Sequence, residues 1–250
     1  MIKAVMFDMG GTLEDLYSDE KNDRATGEAL FRILQDHGIE VPFQDAKSLW
    51  AAVSPQVLAY KKESERTMME LKPEQIWADW GFRGIPVDRE KLMACSEEIA
   101  HMWETTYYDR RLREHGAEML AGLKELGLHV AVVSNTASLF QVFDTLEKYG
   151  VRQYFDEITL SSIVGYRKPH PNIFRIALHQ AGCLPEEAVF VGDTLSRDVV
   201  GPRKLGFGRI IKINSFLTPQ KDIGKFDVAP DYEVTDIYDV YTILKDELGR

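Results

Sequence analysis

Hydrophobic and polar positions are arranged in two different patterns along this chain. Short apolar runs separated by amphipathic segments occupy the first residues and the chain beyond residue 116. Such runs are typical of buried strands, and the spacing between them is typical of helices. Strands are predicted at 2–7, 128–133, 155–160, 188–191, 209–213 and 232–235. Helices are predicted at 117–126, 139–149, 171–181, 197–205 and 237–248. This alternation implies a mostly parallel sheet covered on both faces.

The stretch between the first two predicted strands has a different pattern. Apolar residues recur there with helical spacing, and no strand is convincing. The helical stretches lie near 29–38, 49–60, 73–80 and 88–107. Pro55 predicts a break or kink in the second of them, whereas Pro73 stands at a first turn, where proline is tolerated. All four tryptophans lie in this part of the chain, and we expect them to fill a small helical core.

These two patterns predict two domains. The first strand belongs to an α/β core domain that is completed only later in the chain, so the core comprises residues 1–16 and 110–250. An α-helical cap domain, residues 17–109, is inserted into it. The hinges are expected near 17–19 and 109–113.

Composition limits the classes of function. The 250 residues are 44% hydrophobic and 28% charged, as in ordinary globular proteins. A net charge of −10 argues against binding nucleic acid or anionic membranes. The sequence contains no apolar run of membrane-spanning length, and its first residues lead us to expect no signal peptide. Cys95 and Cys183 do not have metal-site spacing and predict a reducing compartment, so we expect a cytoplasmic protein.

Polar side chains stand where several predicted strands end. Asp8 follows the first strand and Ser134 the second, while Asp193 follows the strand near residue 190, with Asp198 five residues on. Lys168 precedes a predicted helix. Each has an ordinary explanation alone: a turn aspartate, a loop hydroxyl, a helix cap or a solvated lysine. Because the carboxyl ends of parallel strands share one edge, we expect all five in one cleft.

This set of side chains suits phosphoryl chemistry. Carboxylates together with a backbone carbonyl suit Mg²⁺, which prefers hard oxygen ligands. A carboxylate can also act as a covalent nucleophile toward phosphorus. Lys168 and the Ser134 hydroxyl could orient and neutralise phosphoryl oxygens. Gly10 and Gly11 allow a sharp turn and leave amides free to approach an anion.

Four segments carry a resemblance to a known family. FDMGGTL, VVSNT, GYRKPHPNIF and VGDTLSRD resemble, in order, the motifs of the haloacid-dehalogenase-like (HAD) hydrolase superfamily. The resemblance implies a Rossmann-like core with a helical cap and a Mg²⁺-dependent hydrolase acting on a small phosphorylated compound through an aspartyl-phosphate. It assigns Asp8 as nucleophile and Lys168 as a catalytic residue. Implied metal ligands are Asp8, the Gly10 carbonyl, Asp193 and, directly or through water, Asp198. Implied phosphate-binding residues are Gly11, Ser134, Asn135 and Lys168.

One position departs from the pattern of the family's phosphatases. These usually have an aspartate acid and base two residues after the nucleophile, where this chain has Gly10. Glu14 or Asp15 is a candidate replacement. The alternatives are a phosphonate hydrolase with a Schiff-base lysine, a metal-independent dehalogenase and a catalytically weak phosphate-binding or regulatory protein. The candidate cap lysines, each interpreted first as solvated, are Lys47, Lys61, Lys62 and Lys72.

Two weaker features complete the set of candidates. Arg110, Arg111 and Arg113 cluster at the second hinge and are interpreted as a solvated face, with contact to an anionic substrate as the alternative. His170 precedes Pro171 and is interpreted as a helix-terminus residue. Substrate identity and oligomeric state do not follow from the sequence.

Overall fold

The computed structural model describes residues 1–215, 222 and 227–250. The strands of this part are β1 (Ala4–Phe7), β2 (Glu14–Tyr17), β3 (Asp109–Leu112), β4 (His129–Ser134), β5 (Glu157–Leu160), β6 (Ala188–Gly192), β7 (Arg209–Ile213) and β8 (Tyr232–Val234). Six of them form one sheet in the order β5-β4-β1-β6-β7-β8, and every pair in it is parallel. The predicted parallel sheet is therefore confirmed.

Helices occupy most of the remaining described chain. The α-helices are α1 (Glu20–Asp36), α2 (Ala46–Thr67), α3 (Pro73–Gln75), α4 (Arg89–Ala94), α5 (Ser96–Thr106), α6 (Gly116–Glu125), α7 (Gln141–Lys148), α8 (Ser161–Val164), α9 (Pro171–Gln180), α10 (Val200–Leu205) and α11 (Tyr238–Glu247). Ile76–Gly81 and Leu195–Val199 are π-helical, and Arg152–Tyr154 and Pro185–Glu187 are 3₁₀ turns. No helix of the described chain is long and apolar enough to cross a membrane.

Both faces of the sheet are buried, as a parallel sheet requires. Val5 and Phe7 of β1 point into a cluster completed by α6, α7 and α11, whereas Ala4 and Met6 point into a second cluster with α9. Because successive side chains of a strand face opposite ways, four consecutive apolar residues fill two layers. This packing fixes the position of β1 within the sheet, and therefore the position of the residue that follows it.

A third apolar cluster lies among α1 to α5. Its members come from residues 30–103, apart from Ala137. Trp77 is completely buried there, and Trp50 and Trp103 nearly so, as predicted for a helical core. Aspartates cap three of these helices: Asp19, Asp45 and Asp88 accept backbone N–H groups at the starts of α1, α2 and α4.

The structure differs from two helix predictions in this region. α2 is continuous through Pro55, so the helix is not broken there. Ala51, whose carbonyl loses its partner there, is exposed and can be solvated by water. The helix predicted over 88–107 is two helices, because the chain bends at Cys95 (φ −103°, ψ 8°). Cys95 and Cys183 are both free thiols.

The two hinge segments pair with each other as a ribbon, which the sequence patterns did not predict. β2 and β3 are antiparallel, with Tyr17 opposite Asp109 and Glu14 opposite Leu112. Both strands are short and rich in charged residues, so neither has the apolar alternation of a strand. The chain thus leaves and re-enters the α/β part through adjacent, hydrogen-bonded strands.

Candidate active site

Three neighbouring strands bring the predicted polar residues to one edge of the sheet. β4, β1 and β6 lie side by side, and Ser134 ends β4, Asp8 follows β1 and Asp193 follows β6. The Asp8 N–H donates to the carbonyl of Val191 (2.9 Å), which holds the end of β1 against β6. The expected convergence is therefore present in the structure.

Three buried carboxylates meet at this edge. Asp8, Asp193 and Asp198 each offer one oxygen, and these oxygens lie within 4.8 Å of one another. Their exposed fractions are 7%, 0% and 1%. Gly192 permits this approach, since a Cβ there would lie 2.2 Å from the Cβ of Asp198. Buried like charges repel each other, and a set of carboxylate oxygens is the donor chemistry that Mg²⁺ selects. The residues present fit a magnesium ion.

Lys168 lies among these carboxylates. Its Nζ is 2.9 Å from Oδ1 of Asp8 and 2.8 Å from Oδ1 of Asp198, and its side chain is 1% exposed. Its interpretation as a solvated lysine is therefore wrong. The Asn135 side-chain amide accepts from the Lys168 N–H (2.8 Å) and donates to the Lys168 carbonyl (3.1 Å). Asn135 thus ties the loop after β4 to the backbone of Lys168.

Arg197, which the sequence patterns did not single out, is a second cation that interacts with Asp198. Burial alone would raise the pKa of Asp198, but the charges of Lys168 and Arg197 hold it below its ordinary value. Burial opposes the charge on Arg197, yet Asp198, Asp8 and Asp193 raise its pKa. Arg197 also lines the cavity described next. The only sign in the sequence that Arg197 belongs to the site is that it directly precedes Asp198.

A cavity of about 780 Å³ opens over the carboxylates. Its floor includes Asp8, Gly10, Ser134 and Lys168. The lining from α2 and from the end of α5 onward mixes aromatic and polar side chains; it includes Tyr60, Lys61, Ser64, Trp103, Tyr107 and Tyr108. The volume suits a small molecule. The polar groups at the edge of the sheet and the residues that line the rest of the cavity thus come from different parts of the chain.

The four candidate lysines of the predicted cap differ in environment. Among Lys47, Lys61, Lys62 and Lys72, Lys61 is the one that lines the cavity as far as the structure describes it, and its Nζ lies 3.5 Å from the Tyr108 hydroxyl. Lys72 instead donates to the carbonyls of Ser162 and Ile163. Lys61 is therefore the one of these lysines placed to meet a ligand.

The two candidate replacements for the acid lie away from the cavity lining. Glu14 is fully buried and accepts hydrogen bonds from Arg110 and from Tyr149 (2.9 Å). Burial raises the pKa of Glu14, against the opposing charge of Arg110. Asp15 pairs with Arg113 at 3.0 Å. The Glu14 carboxyl still lies close behind the cavity, since a Cβ on Gly10 would be 4.0 Å from its Oε1.

Of the three arginines at the second predicted hinge, two are buried rather than solvated. The side chains of Arg110 and Arg113 are 10% and 11% exposed and are paired with carboxylates, so for these two the interpretation as a solvated face is wrong. Arg111 is 73% exposed and fits it. The physical reason is the ribbon, which brings Arg110 against Glu14, 96 residues away in sequence.

Two further predicted residues lie outside the cavity lining. Gly11 (φ 92°) donates its N–H to the carbonyl of Glu14 (2.8 Å), so the structure does not bring that amide to the cavity. Its left-handed φ favours glycine. His170 caps α9 by accepting from the Asn172 N–H (3.1 Å), as expected for a helix-terminus residue.

Comparison with known proteins identifies the family. Residues 2–206 match the family model of haloacid dehalogenase-like hydrolases. The chain is 27% identical to a glyceraldehyde 3-phosphate phosphatase of Methanopyrus kandleri over 237 residues, covering 94% of this chain and 93% of the relative.

Solved structures agree on the fold. A HAD phosphatase from Thermococcus onnurineus superposes with a TM-score of 0.64 at 22% identity, covering 97% of this chain and 98% of that one. A 2-haloacid dehalogenase from Pseudomonas syringae pv. Tomato DC3000 gives 0.67 at 22% identity, covering 99% and 100%. The chain belongs to the haloacid dehalogenase-like hydrolases, and it is an enzyme of that family.

Proposed function

We propose that this hydrolase is a Mg²⁺-dependent phosphatase of small phosphorylated compounds that acts through an aspartyl-phosphate on Asp8. The observation that carries the proposal is the convergence of three buried carboxylates and Lys168 beneath the cavity. The phosphatase name of a relative that matches along nearly its whole length supports it. A cytoplasmic location remains a prediction from the sequence.

The proposed domain division follows the apolar clusters. Residues 17–109 are the helical cap and residues 1–16 and 110–250 the core. The cluster among α1 to α5 is separate from the two clusters that flank the sheet. A domain with its own apolar core can move as a unit. We assign the part of the cavity lining that comes from this cap to substrate selection.

Each residue at the sheet edge has a proposed role. Asp8 attacks phosphorus, and the new bond to its carboxylate forms as the bond to the leaving oxygen breaks. The Ser134 hydroxyl and Lys168 hold the phosphoryl oxygens, with Asn135 fixing the Lys168 backbone. Asp8, the Gly10 carbonyl and Asp193 would hold Mg²⁺, with Asp198 in support. When bound, the ion would offset negative charge on the phosphoryl group and on the carboxylates.

Gly10 sets the expected range of substrates. A positioned acid contributes about 10²–10⁴ in rate by protonating a leaving oxygen, and glycine carries no proton to give. Glu14 and Asp15 do not line the cavity. We therefore assign a preference for phosphates with acidic leaving groups, such as aryl or acyl phosphates, and a long-lived phosphoryl-aspartate.

The experiment is a screen of aryl, acyl and alkyl phosphates with Mg²⁺ and with a chelator, run on wild type, Asp8→Asn and the exposed control Asp239→Asn. Turnover is expected to require Mg²⁺, to vanish in Asp8→Asn and to be unchanged in the control, because only Asp8 offers the nucleophile. Beryllium fluoride, a phosphate analogue, should bind wild type and not Asp8→Asn. Full activity in Asp8→Asn would move the chemistry to another residue.

A second candidate, phosphonate hydrolysis, is favoured by Lys61, which lines the same cavity as the small residue Gly10. An amine there can form a Schiff base with an aldehyde-bearing phosphonate. Borohydride with such a phosphonate should then inactivate wild type and the exposed-lysine control Lys62→Met, but not Lys61→Met. Release of halide without Mg²⁺ would support a dehalogenase, and phosphate binding without turnover a regulatory protein.

A further inference from the structure

A short segment of the proposed cap is joined to the loop that carries Lys168. Met69 forms an antiparallel bridge with Tyr166. On either side of it, the Glu70 N–H donates to the carbonyl of Gly165, and the Arg167 N–H donates to the carbonyl of Met68, both at 2.9 Å. This contact is separate from the β2–β3 ribbon and lies next to Lys168 in sequence. The cap therefore touches the catalytic edge at a point away from its hinges.

Glu70 inserts a carboxylate at this junction. It is 6% exposed and accepts hydrogen bonds from the Arg167 guanidinium, from the Ser161 hydroxyl (2.8 Å) and from the Tyr60 hydroxyl. Arg167 is itself 7% exposed, so both members of the ion pair are buried. Tyr60 belongs to α2, whereas Ser161 and Arg167 belong to the core. One cap carboxylate thus binds two core residues at once.

Both core partners lead directly to phosphate-site loops. Arg167 is the residue before Lys168. The Ser161 hydroxyl, which donates to Glu70, accepts from the Thr136 N–H (3.0 Å), two residues beyond Ser134. Asn135, between them, is hydrogen-bonded to the Lys168 backbone. Glu70 is therefore connected to both loops that hold the proposed phosphate-binding side chains.

Another cap carboxylate docks on the core without this connection. Glu97 accepts N–H groups from Leu139 and Phe140 before α7, and the hydroxyl of Ser138. These N–H groups and this hydroxyl lie just before α7, so the contact supports the start of that helix. None of them contacts the Lys168 loop. Glu97 therefore provides an internal comparison: it joins cap to core but does not contact the Lys168 loop.

From these contacts we infer that Glu70 is a positioning residue that makes the placement of Lys168 and of the Ser134 loop depend on the docked position of the cap. The inference rests on the proposed phosphatase function. Glu70 lines the cavity, but both of its carboxylate oxygens are taken by Tyr60, Ser161 and Arg167. It acts through Arg167 and Ser161. When the cap leaves the core, the carboxylate leaves with it, and both loops lose a buried partner. The catalytic edge is then complete only while the cap is closed over it.

The test compares full-length Glu70→Gln with wild type in hydrolysis of p-nitrophenyl phosphate with Mg²⁺. We expect kcat to fall on the order of 100-fold, the scale that a 1 Å misplacement of a catalytic group costs, with little change in KM. Acetylation of lysines followed by mass spectrometry reports on Lys168 without turnover. Because its side chain is 1% exposed, Lys168 should react slowly in wild type and faster in Glu70→Gln.

Two further variants separate positioning from simple stability. Glu97→Gln should leave both kcat and the Lys168 labelling close to wild type. The double variant Glu70→Gln with Arg167→Gln contains no unpaired buried charge. It should regain thermal stability without regaining kcat, and it replaces Glu70→Gln if the single variant does not fold. A double variant with restored kcat would overturn the inference, because the loss then came from a lone guanidinium.

Other outcomes are equally decisive. Equal Lys168 labelling in wild type and Glu70→Gln would overturn the inference, as would a kcat loss in Glu97→Gln as large as that in Glu70→Gln. If wild type has no turnover on any phosphate, but labelling responds to Glu70→Gln and not to Glu97→Gln, the phosphatase proposal fails while the positioning role of Glu70 holds.

Discussion

The two edges of the central sheet use aspartates in opposite ways. At the amino edge, Asp156 accepts the Val130 N–H (2.9 Å) and pairs with Lys124 (2.6 Å). Asp231 there accepts the Ile210 N–H (2.7 Å) and pairs with Arg203 (3.1 Å). At the carboxyl edge, three aspartate oxygens crowd within 4.8 Å of one another.

The difference shows which edge is built for stability and which for chemistry. Each amino-edge aspartate satisfies a strand N–H and meets its own cation, so its charge is locally balanced. The carboxyl-edge aspartates, by contrast, are almost fully buried and lie against one another, and their three negative charges share the two positive charges of Lys168 and Arg197. Buried like charges are costly unless a ligand offsets them. A surplus of buried negative charge therefore indicates a site that is completed by a cation.

The largest effect is expected from breaking the carboxyl edge. Asp193→Asn should weaken Mg²⁺ binding more than about 100-fold, because loss of a direct ligand exceeds the 10–100-fold cost of outer-shell changes. Titration calorimetry with Mg²⁺ measures this. Asp231→Asn, the same substitution at the amino edge, is the control and should bind Mg²⁺ as wild type does. Equal Mg²⁺ affinity in the Asp193 and Asp231 variants would refute the assignment of the metal site.

The next effect comes from adding a carboxyl group to the catalytic edge. Gly10→Asp should raise kcat/KM for alkyl phosphates on the order of 100-fold, at the low end of what a positioned acid supplies, and change aryl phosphates much less. The position can accept it: Gly10, unlike Gly11, is outside the left-handed φ region. An added Cβ would lie 2.8 Å from Cδ1 of Leu16, the end of a flexible side chain.

Gly10→Asn is the matched control, since it has the same size without the acid. Circular dichroism should first show that both variants fold. Should the unmodified enzyme already hydrolyse alkyl phosphates rapidly, with little dependence on leaving-group acidity, some other group supplies the proton. An equal gain from Gly10→Asn would exclude proton donation as its cause.

The smallest effect is expected at the amino edge. Burial would raise the pKa of Asp156, but hydrogen bonds from Lys124 and the Val130 N–H lower it overall from 3.8. A carboxyl whose pKa is lowered by folding stabilises the protein above its unfolded pKa, and that contribution is lost as pH falls through the folded value.

Asp156→Asn should therefore lower the free energy of unfolding at neutral pH by about 1 kcal/mol or less, because Asp156 is partly exposed and screened by solvent. The difference from wild type should disappear below the folded pKa of Asp156, and kcat should not change. Urea unfolding at neutral and acidic pH measures it. A difference that persists in acid would show that the charge of Asp156 is not its source.

The sequence was sufficient to bring the carboxyl-edge residues together because Asp8 and Asp193 each directly follow a predicted strand, which is a local pattern. Parallel topology then places the ends of both strands at one edge, so the two residues meet there although they lie far apart in the chain. Glu70 was not predictable in this way, since its partners Ser161 and Arg167 lie 91 and 97 residues further along the chain. The interpretation of Arg110 as a solvated residue was wrong for the same reason. Long-range pairing, not local pattern, decides whether a charged residue is buried.

The β2–β3 ribbon has a consequence for how the enzyme can be rebuilt. Tyr17 and Asp109 face each other across two paired strands, and directly opposed residues in such a ladder lie about 4.5–5.5 Å apart. The inserted segment therefore has adjoining ends. A short turn joining residues 17 and 109 would therefore close the remaining chain. On the domain division proposed above, we expect the ribbon to let the insertion be removed or exchanged as a module while the order of the strands in the central sheet stays the same.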